Sequence, residues 1–262
     1  GFIANTIIRP LVDNNKIVKL MQEDTPKDKR DFLKNISALA TKLLTPDIKA
    51  IGISIAGVIV DGVVKKSPNL PINNFNLKRY LERKFKRKVE IYNDAGCFSI
   101  AEAYLGCKKD NFVLITLGTG IGSGLIINGE PYSGGRGLGG EVGHMYVNGI
   151  DFEANWKNTR KEIKQTFGRN VLFKELVHMK DKSAKEILSD TADYLGKGFA
   201  SCIAVLDPEI IAMGGGPSEC GTKFLKMVQM KVDKYTYIPK KTQVKWTTLK
   251  EPGVLGASLL VS

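Results

Sequence analysis

The chain has 262 residues, room for two domains that each bury a core. With 43% hydrophobic and 25% charged residues the composition is that of an ordinary globular protein, which excludes a disordered chain. The formal charge of +12 invites a nucleic-acid reading, yet the lysines and arginines are scattered over helix faces as in "LKRYLERKFKRKVE" (77–90), where Leu77, Leu81 and Phe85 recur at helical spacing. No zinc finger, RNP-type aromatic motif or basic tail accompanies them, so no nucleic-acid partner is expected. The positive field suits a polyanionic nucleotide equally well.

No apolar run approaches the roughly 20 residues of a membrane span and no signal pattern opens the sequence, so a cytoplasmic protein without a membrane partner is expected. Cys97, Cys107, Cys202 and Cys220 form no C-x-x-C pair and have no histidine at metal spacing, which predicts buried thiols and no zinc or disulfide framework.

In chain order, residues 1–20 alternate apolar segments with "ANT" and "DNN" turns, a β-meander pattern that returns at 112–132. Such duplication predicts two similar domains. Between the two copies the pattern predicts a helix near 27–45, a strand over "AIGISIAGVIVDGVV" (50–64), a loop "KKSPNLPINN", a helix over 77–86, the strand "KVEIYND" and the helix "GCFSIAEAYLG". A long helical region follows over 156–206, then a strand running into glycines, "PEIIAMGGGPSECG", and a small-residue helix at the end of the sequence. The predicted class is α/β with two lobes.

The stretch "VLITLGTGIGSGLIINGEPY" (113–132) places glycine at every second position from Gly118 to Gly124. A dinucleotide fingerprint needs a helix after its glycines. Here Leu125-Ile126-Ile127 and the turn pair Asn128-Gly129 follow, so the unit reads strand, glycine turn, strand. No G-x-x-x-x-G-K-[ST] occurs, which removes the P-loop. The tip Gly118-Thr119-Gly120 would expose backbone N–H groups as an anion nest, or serve only as a tight hairpin; the residues alone leave both open.

"EIYNDAGCFS" sets Asn93 and Asp94 at a strand's carboxyl end, where α/β sheets bind ligands; the competing use of Asp94 is as the N-cap of the next helix. "GGRGLGGEVGHMYVNG" brings Glu141 and His144 to i, i+3 spacing, a carboxylate and an imidazole able to hold hydroxyl groups, or simply a polar loop. Gly214, Gly215 and Gly216 stand where a strand turns into a helix, allowing a ring or phosphate close to the backbone, or a plain tight turn.

Taken in order, "SPNLP", "NDAG…AEAYLG", "LGTGIGSGLIINGEPYSGGRGLGGEVGHM", "LDPEIIAMGGGPSECG" and "GVLGASLL" resemble the ROK family of sugar kinases, within the actin-like ATPase superfold. The resemblance spans nearly the whole chain. It implies a two-lobed ribonuclease-H-like architecture, with an N-terminal lobe over 1–107, onto which the closing helix 252–262 packs, a C-terminal lobe over 108–251, and ATP and a hexose bound in the cleft between them. It implies phosphorylation of a glucose-like sugar at its 6-hydroxyl, with Asp94 as general base and Asn69, Asn93, Glu141, His144 and Glu153 at the sugar. Thr6, Gly118, Thr119 and Gly120 would meet the ATP phosphates, and Gly214 to Gly216 the adenosine. Mg2+ is the expected ion and a homodimer the expected assembly.

Two departures qualify this. Where the family opens with D-x-G-G-T, this sequence has "GFIANTIIRP", keeping Thr6 without the acid or the glycines; where the family follows G-H-M with a cysteine-rich zinc motif, "GHMYVNGIDFEAN" has no cysteine. No zinc site is therefore expected, and His144 loses a ligand role. Divergence and segments missing from these 262 residues both account for the gaps. The alternatives to a glucose kinase are an N-acetylhexosamine kinase and a catalytically weak sugar-sensing or regulatory protein of the same fold. Against the last, repressors of the family carry an N-terminal helix-turn-helix, and few residues here precede the first meander.

Overall fold

The computed structural model describes residues 5–8, 12–13, 16–17, 21–168, 171–237, 239 and 241–261, with only the backbone described for residues up to 17 and for residue 22. The chain divides into two compact units: residues 1–106, 133–139 and 249–262 form the first, and residues 107–132 and 140–248 the second.

In the first unit β1 (Asn5–Ile8) pairs antiparallel with β4 (Met21–Asp24), while β2 (Val12–Asp13) and β3 (Lys16–Ile17) pair with each other. The described part of the predicted first meander is thus two separate two-stranded ladders; the rest of it lies outside the described residues. Helix α1 (Lys29–Leu43) starts where the Asp28 carboxylate accepts the N–H groups of Arg30 and Asp31 at 2.7 and 3.1 Å, and it buries Phe32, Ile36, Leu39, Ala40 and Leu43 along one stripe.

The segment predicted as one strand over 50–64 is three: β5 (Ala50–Ile55), β6 (Val58–Val60) and β7 (Val63–Lys66). Asp61 and Gly62 both take positive φ, 50° and 73°, so this Asp-Gly pair is a hairpin turn inside the apolar run. Strand β8 (Phe75–Asn76) joins the β6–β7 ladder. Helix α2 (Leu77–Phe85), capped by Asn76, buries Leu77 and Leu81 as the spacing predicts. Strand β9 (Lys88–Asn93) runs parallel to β5 with Ile55 opposite Asn93, and α3 (Asp94–Tyr104) leaves directly from its end.

The second unit is built on one sheet. Strands β10 (Phe112–Leu117), β11 (Ile121–Ile127) and β12 (Glu130–Tyr132) form the predicted meander. After the small hairpin β13 (Tyr146–Val147) and β14 (Ile150–Asp151), the predicted helical region divides into α4 (Phe152–Phe167), α5 (Phe173–Leu176) and α6 (Lys182–Leu206). The breaks are chemical: Gly168 ends α4 in a left-handed conformation, and Asp181 caps α6 by accepting the Ala184 N–H at 3.0 Å. Strand β15 (Ile210–Gly215), α7 (Gly221–Tyr235) and β16 (Gln243–Trp246) complete the sheet in the order β12-β11-β10-β15-β16, with β10, β15 and β16 parallel. Central β10 is buried on both faces, which is why its sequence "FVLITL" is a continuous apolar run. Phe152, Trp156, Phe199 and Phe224 pack in the same core as its Val113, Ile115 and Leu117.

The last helix, α8 (Pro252–Leu259), returns to the first unit and packs on α3 and β5. A Cβ on Gly256 would lie 1.6 Å from the Cys97 carbonyl oxygen, and one on Gly52 1.7 Å from that of Ala257. The small-residue composition of "GVLGASLL" is therefore a backbone-to-backbone packing requirement. Cys97, Cys202 and Cys220 are buried, and burial pushes each thiol up to about 12. Among the described residues no helix is long and apolar enough to cross a membrane.

Gly256→Val is expected to destabilise the protein by about 3 kcal/mol or more, since overpacking against an immovable backbone is costly. Gly135→Ala, where a Cβ meets nothing within 4 Å, should stay within about 0.5 kcal/mol of wild type in the same urea titration.

Candidate active site

In the first unit, the sequence-predicted Asn93 and Asp94 stand at the carboxyl edge of the parallel pair β5–β9. Asn93 ends β9 and is itself the N-cap of α3: its Oδ1 accepts the Gly96 N–H at 3.1 Å and its Nδ2 donates to the Gly57 carbonyl at 2.9 Å. The capping role open to Asp94 thus falls to Asn93. Asp94 accepts the adjacent Ala95 N–H at 2.9 Å and also interacts with its own backbone N–H, and its residue surface is open to solvent. The protein massed around it nevertheless removes enough water to raise its pKa above the ordinary carboxylate value, against the lowering effect of the Ala95 N–H. Asn69 is exposed on the loop after β7, and Ser67, two residues earlier, hooks that loop to the Ala56 carbonyl at 2.7 Å, just past the end of β5.

In the second unit the two glycine clusters meet on one sheet edge. Because β10 and β15 are parallel, with Leu117 opposite Gly215, both strands deliver their glycines at the same end. Gly215 has φ 96°, and a Cβ there would come within 2.2 Å of the Leu117 carbonyl oxygen, so no other residue fits. The tip Gly118-Thr119-Gly120 is held from α4: Trp156 Nε1 donates to the Gly118 carbonyl at 2.9 Å, Arg160 to the Thr119 carbonyl at 3.0 Å, and Glu153 Oε2 accepts the Ile121 N–H at 3.0 Å. Gly118 is exposed and has nothing within 4 Å of a Cβ position, so its outer face is open.

Glu141 precedes, and His144 ends, a single 3-10 turn, Val142–His144. Ser123 stitches this turn to β11, donating to the Gly140 carbonyl while accepting the Val142 N–H at 2.9 Å. His144 Nδ1 pairs with Asp151 Oδ2 at 3.0 Å, and the other Asp151 oxygen caps α4 through the Ala154 N–H at 3.1 Å. Glu153 is the most committed of the predicted residues: besides Ile121 it pairs with Lys157. Thr6 lies in β1 opposite Glu23, and its side chain is outside the described residues.

Sequence reasoning missed Trp156, Arg160, Asp151, Ser67 and Ser123. Glu153, Trp156 and Arg160 stand at i, i+3 and i+7, so a shared helix face was legible, but nothing in the sequence joins that face to the hairpin tip.

The Asp151 carboxylate raises the His144 pKa above its usual value, and the imidazole in turn holds Asp151 below the usual carboxylate range. The His144 contribution to stability is fully present below about pH 6.5 and is lost as pH rises through the elevated value; the Asp151 contribution is present above about pH 3.9 and is lost as pH falls through the depressed one. NMR titration should place the His144 midpoint above about 6.5, and Asp151→Asn should bring it back.

The ROK family profile matches residues 5–262. A glucokinase of Thermotoga maritima is 27% identical, the alignment covering 95% of this chain and 91% of that protein. A xylose repressor of Bacillus spizizenii is 26% identical over 83% of this chain and 62% of its own length. Among solved structures, a ROK hexokinase of Thermus thermophilus superposes with a TM-score of 0.80 at 25% identity, over 94% of this chain and 91% of that one. The α/β architecture is accordingly that of the actin-like ATPases, as the sequence predicted, and the relatives named as enzymes are sugar kinases. The chain belongs to the ROK family.

Proposed function

We propose that the protein is an ATP-dependent kinase that transfers the γ-phosphoryl group to a hydroxyl of a glucose-like hexose, the 6-hydroxyl being the expected acceptor. The observation that carries this reading is Asp94: a solvent-reachable carboxylate at the carboxyl edge of parallel strands, with a raised pKa and hydrogen bonds to adjacent backbone N–H groups. A base of this kind takes the proton from the attacking hydroxyl as its oxygen bonds to phosphorus and ADP departs. A pKa raised toward neutrality makes Asp94 a stronger proton acceptor than a fully hydrated aspartate. Asn93 fixes where that carboxylate stands by tying the end of β9 to both Gly57 and the first turn of α3.

The second unit supports the nucleotide half of the reading. The open outer face at Gly118 fits phosphoryl oxygens, which amide donors bind well when the backbone is bare. The glycines at 214–216 lie on the same edge and allow a flat ring close to the backbone. Glu141 and His144 are both exposed, and a carboxylate and an imidazole suit the hydrogen bonding of sugar hydroxyls. Mg2+ would enter on the nucleotide phosphates; among the described residues no three His, Cys, Asp or Glu side chains cluster to hold an ion by themselves.

A regulatory reading has one observation of its own. A xylose repressor is among the relatives. A coupled ADP-release assay over glucose and N-acetylhexosamines separates the two: sugar-dependent turnover supports the kinase, and sugar binding without turnover supports the sensor.

In the kinase, Asp94→Asn should lower kcat by about 10²- to 10⁴-fold while sugar affinity by calorimetry stays within about threefold. Near-normal turnover removes Asp94 from the mechanism. The same variant should keep or gain thermal stability at pH 7, because a carboxyl whose folded pKa is raised costs stability once ionised. In wild type the acid limb of kcat/KM should have its midpoint above the ordinary aspartate value of about 3.9.

A further inference from the structure

We propose that Trp156 and Arg160 are positioning residues that turn the Thr119 and Gly120 amides toward the nucleotide phosphates. This rests on reading the glycine hairpin as the phosphate site. The peptide unit is planar and trans, so the N–H of each residue points opposite to the carbonyl of the residue before it. The Gly118 carbonyl is drawn to the Trp156 indole N–H, which aims the Thr119 N–H away from α4. The Thr119 carbonyl is drawn to the Arg160 guanidinium, which aims the Gly120 N–H away from α4 as well. Gly118 spends its own N–H on the Gly120 carbonyl at 2.9 Å, so the two amides left to the ligand are those whose direction α4 sets.

The glycines make this control necessary. Each peptide plane of the tip has a glycine, without a Cβ, at one end and Thr119 at the other, so it rotates at lower steric cost than a plane between two substituted residues, and a rotated plane would present a carbonyl oxygen to an anion. The bareness that admits phosphate therefore leaves the amide direction undetermined by the hairpin itself. Donors on a rigid helix resolve it. Trp156 is 3% exposed and packs edge-on against Phe173 at 5.3 Å between ring centroids, so its indole is held by the core. Glu153, bound to the Ile121 N–H, fixes the other side of the turn.

Trp156→Phe removes the donor and keeps an aromatic side chain at a site that has no access to ligand. The variant is expected to bind ADP about tenfold more weakly, with a matching rise in KM for ATP and KM for the sugar within twofold; losing one hydrogen bond accounts for a change of this size. In ¹⁵N–¹H spectra ADP should shift the Thr119 and Gly120 amides of wild type strongly and those of the variant much less. Arg160→Met, on an exposed side chain, should act in the same direction and keep the test available if the tryptophan variant does not fold, while Arg160→Lys should recover part of the affinity. Unchanged ADP affinity and unchanged amide shifts in a folded Trp156→Phe or Arg160→Met protein overturn the proposal. If ADP leaves the Thr119 and Gly120 amides of wild type unmoved, the reading of the hairpin as the phosphate site fails first, and this inference with it.

Discussion

A Cβ on Gly215 would come within 2.2 Å of the Leu117 carbonyl oxygen, and the second unit is organised around that close approach. It permits β15 to run beside β10 to the last residue of each, in parallel register, so that two glycine clusters almost a hundred residues apart in sequence end on one sheet edge. The hairpin tip continues β10, the turn carrying Glu141 and His144 is sewn to β11 by Ser123, and α4 reaches the tip from the core beneath the sheet. The first unit uses the same device with different chemistry, since β5 and β9 also run parallel and bring Ala56, Gly57, Asn93 and Asp94 to one edge.

The division of labour between Asn93 and Asp94 illustrates how a site spends its polar groups. Either residue type makes a good helix cap, and the structure assigns that duty to the amide. A capping carboxylate would accept helix N–H groups, which favours its charged form and lowers its basicity. Leaving Asp94 with only adjacent backbone N–H groups, and with protein massed around it that removes part of its water, moves its pKa the other way. Raised basicity is a cost to folding at neutral pH, and one that the surrounding packing of α3 against α8 is placed to offset.

The segment where the family's cysteines would fall is occupied by a short hairpin, β13–β14, whose turn residues Asn148 and Gly149 both have positive φ. His144 at one end of it pairs with Asp151 at the other, and Asp151 also caps α4. The loop bearing Glu141 and His144 is thereby joined to the helix that grips the glycine tip, through an ion pair and a cap. Because the pair is largely exposed, its strength depends on pH and salt.

Much of this was legible in the sequence. Periodicity gave α1, α2 and the meander β10–β12; the glycine spacing marked the tip; and "YND" before a small-residue helix marked Asp94. These are local signals, set by backbone sterics and by the repeat of one element. The sequence also contained the turn that splits 50–64, since Asp61-Gly62 is a hairpin pair, but the flanking valines and isoleucines concealed it. What only the tertiary structure decided were the partners of polar groups: that Asn93 rather than Asp94 caps α3, that His144 faces Asp151, and that Trp156 and Arg160 orient the tip. A hydrogen bond across dozens of residues depends on where strands and helices are packed, and no residue's own propensity encodes that.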